Sequence, residues 1–541
     1  MQELQIQLAW NRLLAIVEEQ AQVLMRTAFS TVVREAGDLS AGVFNPAGEM
    51  LAQAVTGTPG HVNSMAAAVA KFLNKFPLAS LQPGDVLLTN DPWEGTGHLN
   101  DFTVVTPVFS AQRCVALFAS TSHIADVGGR GFGPDANDVF EEGLRIPISY
   151  LFSAGARNEV LMEILLTNVR DPQVAQGDLY SLTACNDAGA AALLEMMQDL
   201  SLPDLDDLGA AIIQRSDDAM REQISRLPKG HFRYAMTVDG YDEPVEIKAL
   251  MQIDGKQITL DFTGTSGVSA RGINVPLTYT QAYASFGVRC LVGNEIPNNA
   301  GSLAAVHVSA PQGCLLNAPS PRAVSARHSI GQMLPDVVLG CLAQVLPDAV
   351  PAEGASCIWN PVFMHALGAA EDQQFVINPI FNGGTGARPH KDGLSTTAFP
   401  SGVRTTSTEV NEVTSPLLFW SKEYTPGSGG KGQFRGGLGQ TIRVSHRYDQ
   451  PFVISKMFDR IKHPARGRAG GLDGEPGVVT VEDADGTVNT LAGKGREQVP
   501  ALATLVLKTP GGGGFGPAEN RDPLAEQADR QAGLVNKADS C

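Results

Sequence analysis

Hydrophobic residues in the first quarter of the chain follow two different periods. Near the N-terminus they recur at intervals of three and four residues, which predicts an amphipathic helix. Its apolar positions are Leu4, Leu8, Leu13, Leu14, Ile16, Val17, Val23 and Leu24. Residues 65–76 share this period and predict a second helix. Apolar runs at 86–89, 102–109 and 114–120 predict strands, and residues 110–113 form a connection of hairpin length.

The rest of the chain alternates between helical and strand-like segments before its character changes. Residues 180–226, 280–292 and 331–347 are predicted helices, and strands joined by Gly- and Asp-containing turns are predicted between 234 and 264. From residue 401 onward the chain holds 22 of its 57 glycines. This last region is therefore predicted to be rich in strands and loops.

These changes of pattern predict a multidomain protein of the α+β class, with mixed α/β structure. A chain of 541 residues exceeds the usual size of a single domain. We place an N-terminal α/β domain at 1–226, a central α+β domain at 227–400 and a β-rich, glycine-rich C-terminal domain at 401–541.

Charge and cysteine content argue against several classes of protein. The formal net charge is −17, whereas binding to nucleic acid or an anionic membrane needs clustered Lys and Arg. The seven cysteines are scattered and form no C-x-x-C pair, which favours thiols in a reducing compartment. Acidic residues interrupt the first 30 positions, and no run reaches the roughly 18 apolar residues of a membrane helix. We therefore expect a soluble, cytoplasmic protein.

Two copies of the pattern His-x-x-Asp carry the candidate chemistry. One lies in NDPWEGTGHLND (90–101) and the other in TSHIADVGG (121–129), and each adjoins a predicted strand. Glycines flank both copies, so the backbone can approach a bound group closely. Either the copies form a metal site, or they are two solvated turns, because Asp and His both favour such positions.

Hairpin geometry predicts which of these side chains meet. If the two strands pair about their connection, residues whose numbers sum to about 223 or 224 face each other. Asp101 then lies beside Ser122 or His123, and His98 lies three residues upstream on the loop that enters the strand. His98, Asp101 and His123 can therefore converge at one end of the hairpin.

Two imidazoles and one carboxylate are a common ligand set for catalytic Zn, Mn or Fe. Three protein ligands leave a coordination position open for water or substrate. Asp126 and Asp91 are candidates either for further ligands or for acceptors that hold an imidazole in one tautomer. The pattern thus predicts a metal-binding N-terminal domain, with the two solvated turns as the alternative.

The sequence lacks the common nucleotide-binding and nucleophile motifs. It contains no G-x-x-x-x-G-K-[ST], no G-x-G-x-x-G between a strand and a helix, and no G-x-S-x-G. If ATP takes part in the reaction, this chain has no visible site for it. The run TPGGGGFG (509–516) could cradle an anion with its N–H groups, but a tight structural loop is the favoured interpretation.

Many blocks of the chain resemble the B-type subunits of the hydantoinase/oxoprolinase family, in order and over nearly the whole length. They are LMRTAFS, REAGDLSAGVFNPAGEMLAQ, NDPWEGTGHLNDFTVVTPVF, SHIADVGG, EGLRIP, NVRDP, LDFTGTS, IPNNAG, GGTGARPHKDG, GSGGKGQFRGGLG and TPGGGGFG. One departure concerns the stretch before His98, where the family often shows two glycines between the Asn-Asp-Pro block and the metal histidine and this chain has Glu94-Gly95-Thr96-Gly97.

The resemblance implies ATP-dependent hydrolysis of a cyclic amide such as a hydantoin, 5-oxoproline or a lactam. It also implies a separate A-type partner subunit with an actin-like ATPase fold, which binds the ATP, and hence a hetero-oligomer. The family also includes ATP-dependent ketone carboxylases, so carboxylation is an alternative. Length favours hydrolysis, because the carboxylase subunits tend to be longer. A further alternative is a non-catalytic scaffold with a structural metal.

The resemblance also implies roles for single residues. His98, Asp101 and His123 match the metal ligands of the carboxylase relatives. Asp126 is then a candidate general base, or a group that orients His123 at the catalytic site. Two further pairs have open roles. Glu142 and Arg145 form either a structural ion pair or a substrate clamp, and Glu35 and Asp38 either line the cavity or lie at the surface.

Overall fold

A computed structural model describes residues 3–55, 59–366, 368–370 and 373–535. The N-terminal helices are α1 (Glu3–Thr27), α2 (Thr31–Arg34), α3 (Pro59–Lys75), α4 (Val139–Glu142), α5 (Glu159–Asn168), α6 (Pro172–Asp199) and α7 (Asp206–Ser225). The strands are β1 (Leu39–Phe44), β2 (Met50–Gln53), β3 (Val86–Thr89), β4 (Asp101–Ser110), β5 (Arg113–His123), β6 (Ser149–Ser153) and β7 (Ala156–Arg157). These strands form one antiparallel sheet in the order β2-β1-β5-β4-β3-β6-β7.

Strands β4 and β5 are buried along nearly their whole length because helices cover both faces of the sheet. Phe118 packs among apolar residues of α1 and α6 on one face. Its neighbours Leu117 and Ala119 pack with residues of α3 on the other. Two-sided burial explains why these strands have continuous apolar runs instead of an alternating pattern.

The predicted hairpin is confirmed, with a shorter connection than expected. Strand β4 extends to Ser110 and β5 begins at Arg113, so only two residues form the turn, and the first of them, Ala111, has a φ of 53°. Asp101 pairs with His123 in the register. The region predicted as helical, 180–226, contains two helices: α6 ends at Asp199 and α7 begins at Asp206.

The central region builds a second sheet covered by helices. Its elements are β8 (Gly230–Val238), β9 (Val245–Ile253), β10 (Ile258–Asp261), α8 (Leu277–Arg289), α9 (Ala300–Ala304), β11 (Val306–Ser309), α10 (His328–Gly331) and α11 (Leu334–Leu342). The strand order is β11-β10-β9-β8, with β10 and β11 parallel and the other pairs antiparallel. The helices predicted near 280–292 and 331–347 correspond to α8 and α11.

The C-terminal region adds two more sheets. Its elements are β12 (Val362–His365), β13 (Val376–Ile377), α12 (Thr408–Thr414), β14 (Leu417–Tyr424), β15 (Gln440–His446), β16 (Phe452–Met457), β17 (Val478–Glu482), β18 (Val488–Thr490), β19 (Lys494–Val499), β20 (Thr504–Lys508) and α13 (Pro523–Gln531). The strand orders are β13-β12-β16-β19 and β14-β15-β20-β17-β18. The first sheet joins strands from both sides of residue 400, and the three domain boundaries stay predictions.

The mixed α/β, multi-sheet class predicted from the sequence is confirmed. Within the described ranges, none of the helices has the length and apolar composition needed to cross a lipid bilayer.

The glycine-rich segments of the C-terminal region pack backbone against backbone. A Cβ on Gly512 would lie 2.0 Å from the carbonyl oxygen of Thr385, and one on Gly436 would lie 1.9 Å from that of Gly512. The four N–H groups of 511–514 donate to the carbonyls of Glu475, Gly437, Glu353 and Leu472. They are therefore engaged within the fold, and the structural interpretation of TPGGGGFG is the correct one.

Candidate metal centre

Three ligand-type side chains meet at one end of the β4–β5 hairpin. Asp101 is the first residue of β4 and His123 is the last residue of β5, and the two are register partners. His98 lies in the loop that enters β4, and Asn100 ties this loop to the end of β5 by donating from Nδ2 to the Ile124 carbonyl at 3.0 Å. One ligand atom from each of the three residues lies within 4.8 Å of the others, and all three are buried. The structure thus brings together the residues that the sequence predicted as ligands.

The two oxygens of the Asp101 carboxylate have different surroundings. Oδ2 accepts a hydrogen bond from the Thr96 hydroxyl at 2.9 Å and from Nη2 of Arg327, and it lies 2.9 Å from Nε2 of His61. Burial alone would raise the pKa of Asp101, but its neighbours, His61 first among them, hold that pKa well below its usual range. The carboxylate is therefore ionised, with one oxygen fully engaged by protein donors.

Oδ1 of Asp101 faces two imidazoles, at 2.7 Å from Nε2 of His98 and 3.3 Å from Nδ1 of His123. Nδ1 of His98 lies 3.0 Å from the Ser325 carbonyl and donates to it, so Nε2 of the neutral ring is an acceptor that can bind a cation. Burial, together with Arg327, lowers the pKa of His98 to about 3, which favours that neutral ring. A contact of 2.7 Å between Nε2 and a carboxylate oxygen requires either a proton on Nε2 or a metal ion that both atoms bind.

The donor set fits a divalent ion on two further grounds. Nε2 of His123 is buried and, within the described residues, has no hydrogen-bond partner, which is unusual for a buried polar atom. The backbone carbonyl that accepts from His98 is the kind of partner that fixes a metal-binding imidazole in one tautomer. His98, Asp101 and His123 could therefore hold Zn²⁺, Mn²⁺ or Fe²⁺.

Sequence reasoning missed the groups that surround the three candidate ligands. Arg327 is buried, donates from Nε to the Thr96 carbonyl at 2.9 Å, and stacks 4.0 Å above the Tyr279 ring. His61, near the start of α3, reaches both Asp101 and Asp38. No pattern in the sequence singles out Arg327, which lies in the mixed polar and apolar segment RAVSARHSIGQ (322–332).

A small cavity of about 30 Å³ adjoins the three residues. Its lining comes from both the N-terminal and the central regions: Val32, Asp38, His61, His98, His123, Phe132, Tyr279, Arg327, His328, Gln332, Ile358, Asn360, Asn378 and Ile380. The ring of Phe132 lies 5.0 Å from that of His123 and 5.6 Å from that of His98. The cavity has room for about two water molecules.

Asp126 does not join this group. Its carboxylate accepts from the backbone N–H of Gly128 at 3.1 Å and from the backbone and side chain of Arg170. Because the side chain caps its own turn and pairs with an arginine, it is directed to a different set of partners from those of Asp101. The expectation that Asp126 contributes to the metal group finds no support in this geometry.

Glu142 and Arg145 do not pair with each other, which corrects one of the two expected roles. Arg145 binds Asp91, with Nε 2.8 Å and Nη2 2.6 Å from Oδ2 of that residue. Glu142 is 3% exposed, and its Oε1 accepts from the backbone N–H groups of Val324 and Ser325. The role of Glu142 and Arg145 as a substrate clamp stays a prediction.

The other two acidic candidates differ in position. Asp38 lines the cavity, and its backbone carbonyl accepts from the His123 N–H at 3.3 Å. Glu35 pairs with Arg34 at 3.1 Å in a partly exposed position. Asp38 therefore belongs to the surroundings of the metal group, and Glu35 to the surface.

Comparison with known proteins gives relatives over the whole chain. A protein of Pseudomonas sp. strain NS671, assigned as the B component of a D-/L-hydantoinase, is 26% identical, with 98% of this chain and 93% of that protein covered. The 5-oxoprolinase 1 of Arabidopsis thaliana is 30% identical over 94% of this chain, which spans only 41% of the plant protein.

Solved structures show the same fold. The ATP-dependent caprolactamase from Pseudomonas jessenii superposes with a TM-score of 0.90 at 23% identity, covering 99% of this chain and 95% of that one. Nucleotide-free acetone carboxylase gives 0.89 at 17% identity, covering 99% and 78%. The family model described as Hydantoinase B/oxoprolinase matches residues 2–518. The chain therefore belongs to the hydantoinase B/oxoprolinase family.

Proposed function

We propose that this chain is the metal-binding subunit of an ATP-dependent hydrolase that opens cyclic amides. The observation that carries the proposal is the buried group of His98, Asp101 and His123, in which an imidazole nitrogen and a carboxylate oxygen face each other at 2.7 Å. The names of relatives support the substrate class, because hydantoin, 5-oxoproline and caprolactam are all cyclic amides.

The residues around the group have separate tasks in this proposal. A divalent ion held by the three ligands would supply a Lewis acid that polarises an amide carbonyl and acidifies water. Arg327 and Thr96 keep the Asp101 carboxylate ionised and its second oxygen engaged. Phe132 shields the imidazoles. The cavity has room for water molecules but not for the ring of a cyclic amide. The substrate therefore reaches the three ligands only after part of the cavity wall moves aside.

The proposal assigns ATP to a partner subunit of the A type, with an actin-like ATPase fold. The sequence has no phosphate-binding motif of its own, and the relative from Pseudomonas sp. strain NS671 is named as one component of a hydantoinase with more than one kind of chain. Phosphorylation of the amide oxygen by that partner would make a poor electrophile reactive towards water. We therefore expect a hetero-oligomer as the active form.

Ketone carboxylation is the second candidate, favoured by the fold shared with acetone carboxylase. A purely structural metal has less support. Structural zinc sites usually have four protein ligands, whereas the candidate group within the described residues has three.

Activity of the assembled complex tests the proposal. The chain and its partner, supplied with ATP and Zn²⁺, Mn²⁺ or Fe²⁺, should open at least one ring among hydantoin, 5-oxoproline and caprolactam. His123→Ala should abolish that activity. His463→Ala is the matched control, because His463 also pairs with a carboxylate, Asp239 at 2.9 Å, but lies outside the group. Bicarbonate-dependent carboxylation of acetone without any ring opening would contradict hydrolysis and favour the second candidate.

A further inference from the structure

Glu142 is a buried carboxyl group that the proposed chemistry does not use. It ends the short helix α4, is 3% exposed, and accepts through Oε1 from two successive backbone N–H groups, those of Val324 and Ser325, each at 2.7 Å. Its other oxygen, Oε2, is buried and has no hydrogen-bond partner within the described residues. An interior carboxyl in this position needs an explanation, because buried charged groups are rare unless paired.

The segment that Glu142 holds is the one that orients His98. The carbonyl of Ser325 accepts from Nδ1 of His98 at 3.0 Å, and the opposite nitrogen of that ring faces Asp101. Arg327, two residues further along the segment, donates to the Asp101 carboxylate. Oε1 of Glu142 therefore holds the backbone segment that carries both Ser325, which contacts His98, and Arg327, which contacts Asp101.

The environment of Glu142 also defines its chemical form. Burial raises the pKa of Glu142 to about 8, although the two backbone donors oppose the shift. At neutral pH the group is mainly protonated, so it acts as a neutral acceptor through Oε1. A glutamine has the same shape and the same acceptor.

We propose that Glu142 is a positioning residue for the metal centre, which holds the Ser325 carbonyl in place and thereby fixes the tautomer and orientation of His98. This inference rests on the proposed function, because it presupposes an ion bound by His98, Asp101 and His123. Partners one step removed from a metal ligand typically change metal affinity by about 10- to 100-fold when they are altered. Glu142 acts through such a partner.

Zn²⁺ affinity of the full-length chain tests the inference, measured by competition with a chromophoric chelator, alongside the melting temperature of the metal-free protein. Glu142→Leu should weaken Zn²⁺ binding by about tenfold or more. Glu142→Gln should stay within about threefold of the wild type, because it keeps the acceptor. If Glu142→Leu does not fold, Glu142→Asp decides, since its carboxyl is one methylene too short to reach both N–H groups and should also weaken binding.

Asp85→Leu is the matched control for loss of a buried carboxyl. Asp85 is 1% exposed and also accepts from two backbone N–H groups, of Ala154 at 2.8 Å and Gln82 at 2.9 Å, at the far end of β3. The Asp85→Leu variant should have a lower melting temperature but a Zn²⁺ affinity within about threefold of the wild type.

Three results would overturn the inference alone, and a fourth would overturn the proposed function on which it rests. Wild-type affinity in Glu142→Leu or Glu142→Asp excludes a positioning role, and so does an equal loss of affinity in Asp85→Leu. A loss in Glu142→Gln as large as in Glu142→Leu would make charge, not the acceptor, responsible. Failure of the wild-type chain to bind Zn²⁺, Mn²⁺ or Fe²⁺ would instead remove the proposed metal site itself.

Discussion

Two buried clusters of charged side chains differ in how their atoms face each other. One is the metal group, His98, Asp101 and His123, at the end of the β4–β5 hairpin. The other, which we call the arginine–carboxylate cluster, consists of Asp336, Glu353, Arg460, Arg466 and Tyr234 and lies between the central and C-terminal regions. Both place ionisable groups inside the protein, where they are costly unless paired.

In the arginine–carboxylate cluster, donors face acceptors. Oε1 of Glu353 accepts from the Tyr234 hydroxyl and from Nε of Arg466, each at 2.8 Å, and Oε2 accepts from Arg460 at 3.1 Å. Burial alone would raise the pKa of Glu353, but Arg460 and Arg466 lower it below its usual value. These contacts stabilise the carboxylate without any additional group.

In the metal group, two imidazole nitrogens face one carboxylate oxygen, and each can either donate to it or share a cation with it. Oδ1 of Asp101 meets two imidazole nitrogens, one of them on a ring whose other nitrogen already donates to a backbone carbonyl. Arg327 and His61 contact the other oxygen of the carboxylate, Oδ2. A buried carboxylate whose oxygens all accept from protein donors is structural, whereas the buried Nε2 of His123, which has no hydrogen-bond partner within the described residues, leaves an atom free to bind a cation.

The largest expected loss of folding free energy comes from a substitution in the arginine–carboxylate cluster. Glu353→Gln removes the carboxylate that Arg460 and Arg466 share and leaves Arg460 with Asp336 at 3.4 Å. Removal of one partner of a buried pair typically costs about 3 to 5 kcal/mol of folding free energy. We expect that loss in urea or thermal unfolding, with Zn²⁺ binding by the folded fraction unchanged. Glu526→Gln is the control, because its pair with Arg530 is exposed on both sides and should cost less than about 1 kcal/mol. Equal costs in the two variants would contradict a structural role for the cluster.

A smaller effect is expected from Gly97→Ala, next to the metal group. Gly97 has a φ of 101°, and a Cβ there would lie 2.8 Å from Cδ and Nε of Arg327. The backbone strain costs about 2 kcal/mol, and displacement of Arg327 from Asp101 should weaken Zn²⁺ binding as well. Gly155→Ala isolates the strain, because Gly155 has a φ of 82° and no described atom within 4 Å of the new Cβ. If both variants keep full Zn²⁺ affinity, Arg327 has no part in holding Asp101 in position for the metal.

The smallest effect, counted per pH unit, is a pH dependence that comes from Glu142. Its pKa rises from 4.5 to about 8 on folding, so the folded chain binds more protons than the unfolded chain between these values. Its contribution to stability is therefore present below pH 4.5 and lost as pH rises towards 8, at up to about 1.4 kcal/mol per pH unit. In metal-free protein between about pH 5.5 and 7.5, the melting temperature of the wild type should fall relative to that of Glu142→Gln. A constant difference would show that Glu142 is ionised in the folded state.

The sequence predicted the parts of the site that depend on local pattern. Apolar runs located β4 and β5, and the short connection between them set a register in which Asp101 meets His123. The loop residue His98 followed from its spacing to Asp101. A hairpin is a local structure, so pattern and turn length are sufficient to align its ends.

The rest of the site comes from distant segments that no local pattern connects. Arg327 and Ser325 lie far beyond His98 in the chain, and His61 comes from the start of a helix that packs on the sheet. Thr96, in the segment Glu94-Gly95-Thr96-Gly97 before His98, proves to be a donor to Asp101. Tertiary packing decides these contacts.

Asp126 shows how a repeated motif can mislead. In the first His-x-x-Asp copy, Asp101 begins a strand and points towards the imidazoles. In the second copy, His123 ends a strand and the chain turns away, so Asp126 caps a turn and binds Arg170. The same spacing gives different directions because the order of loop and strand is reversed.

Metal content of the purified chain tests the central claim most directly. After treatment with a chelator and reloading with Zn²⁺, Mn²⁺ or Fe²⁺, the wild type and His463→Ala should each retain about one ion per chain, as a single three-ligand site requires. His123→Ala should retain less than about a tenth of that amount. Full metal content in His123→Ala, or none in the wild type with all three ions, would contradict a metal centre at His98, Asp101 and His123.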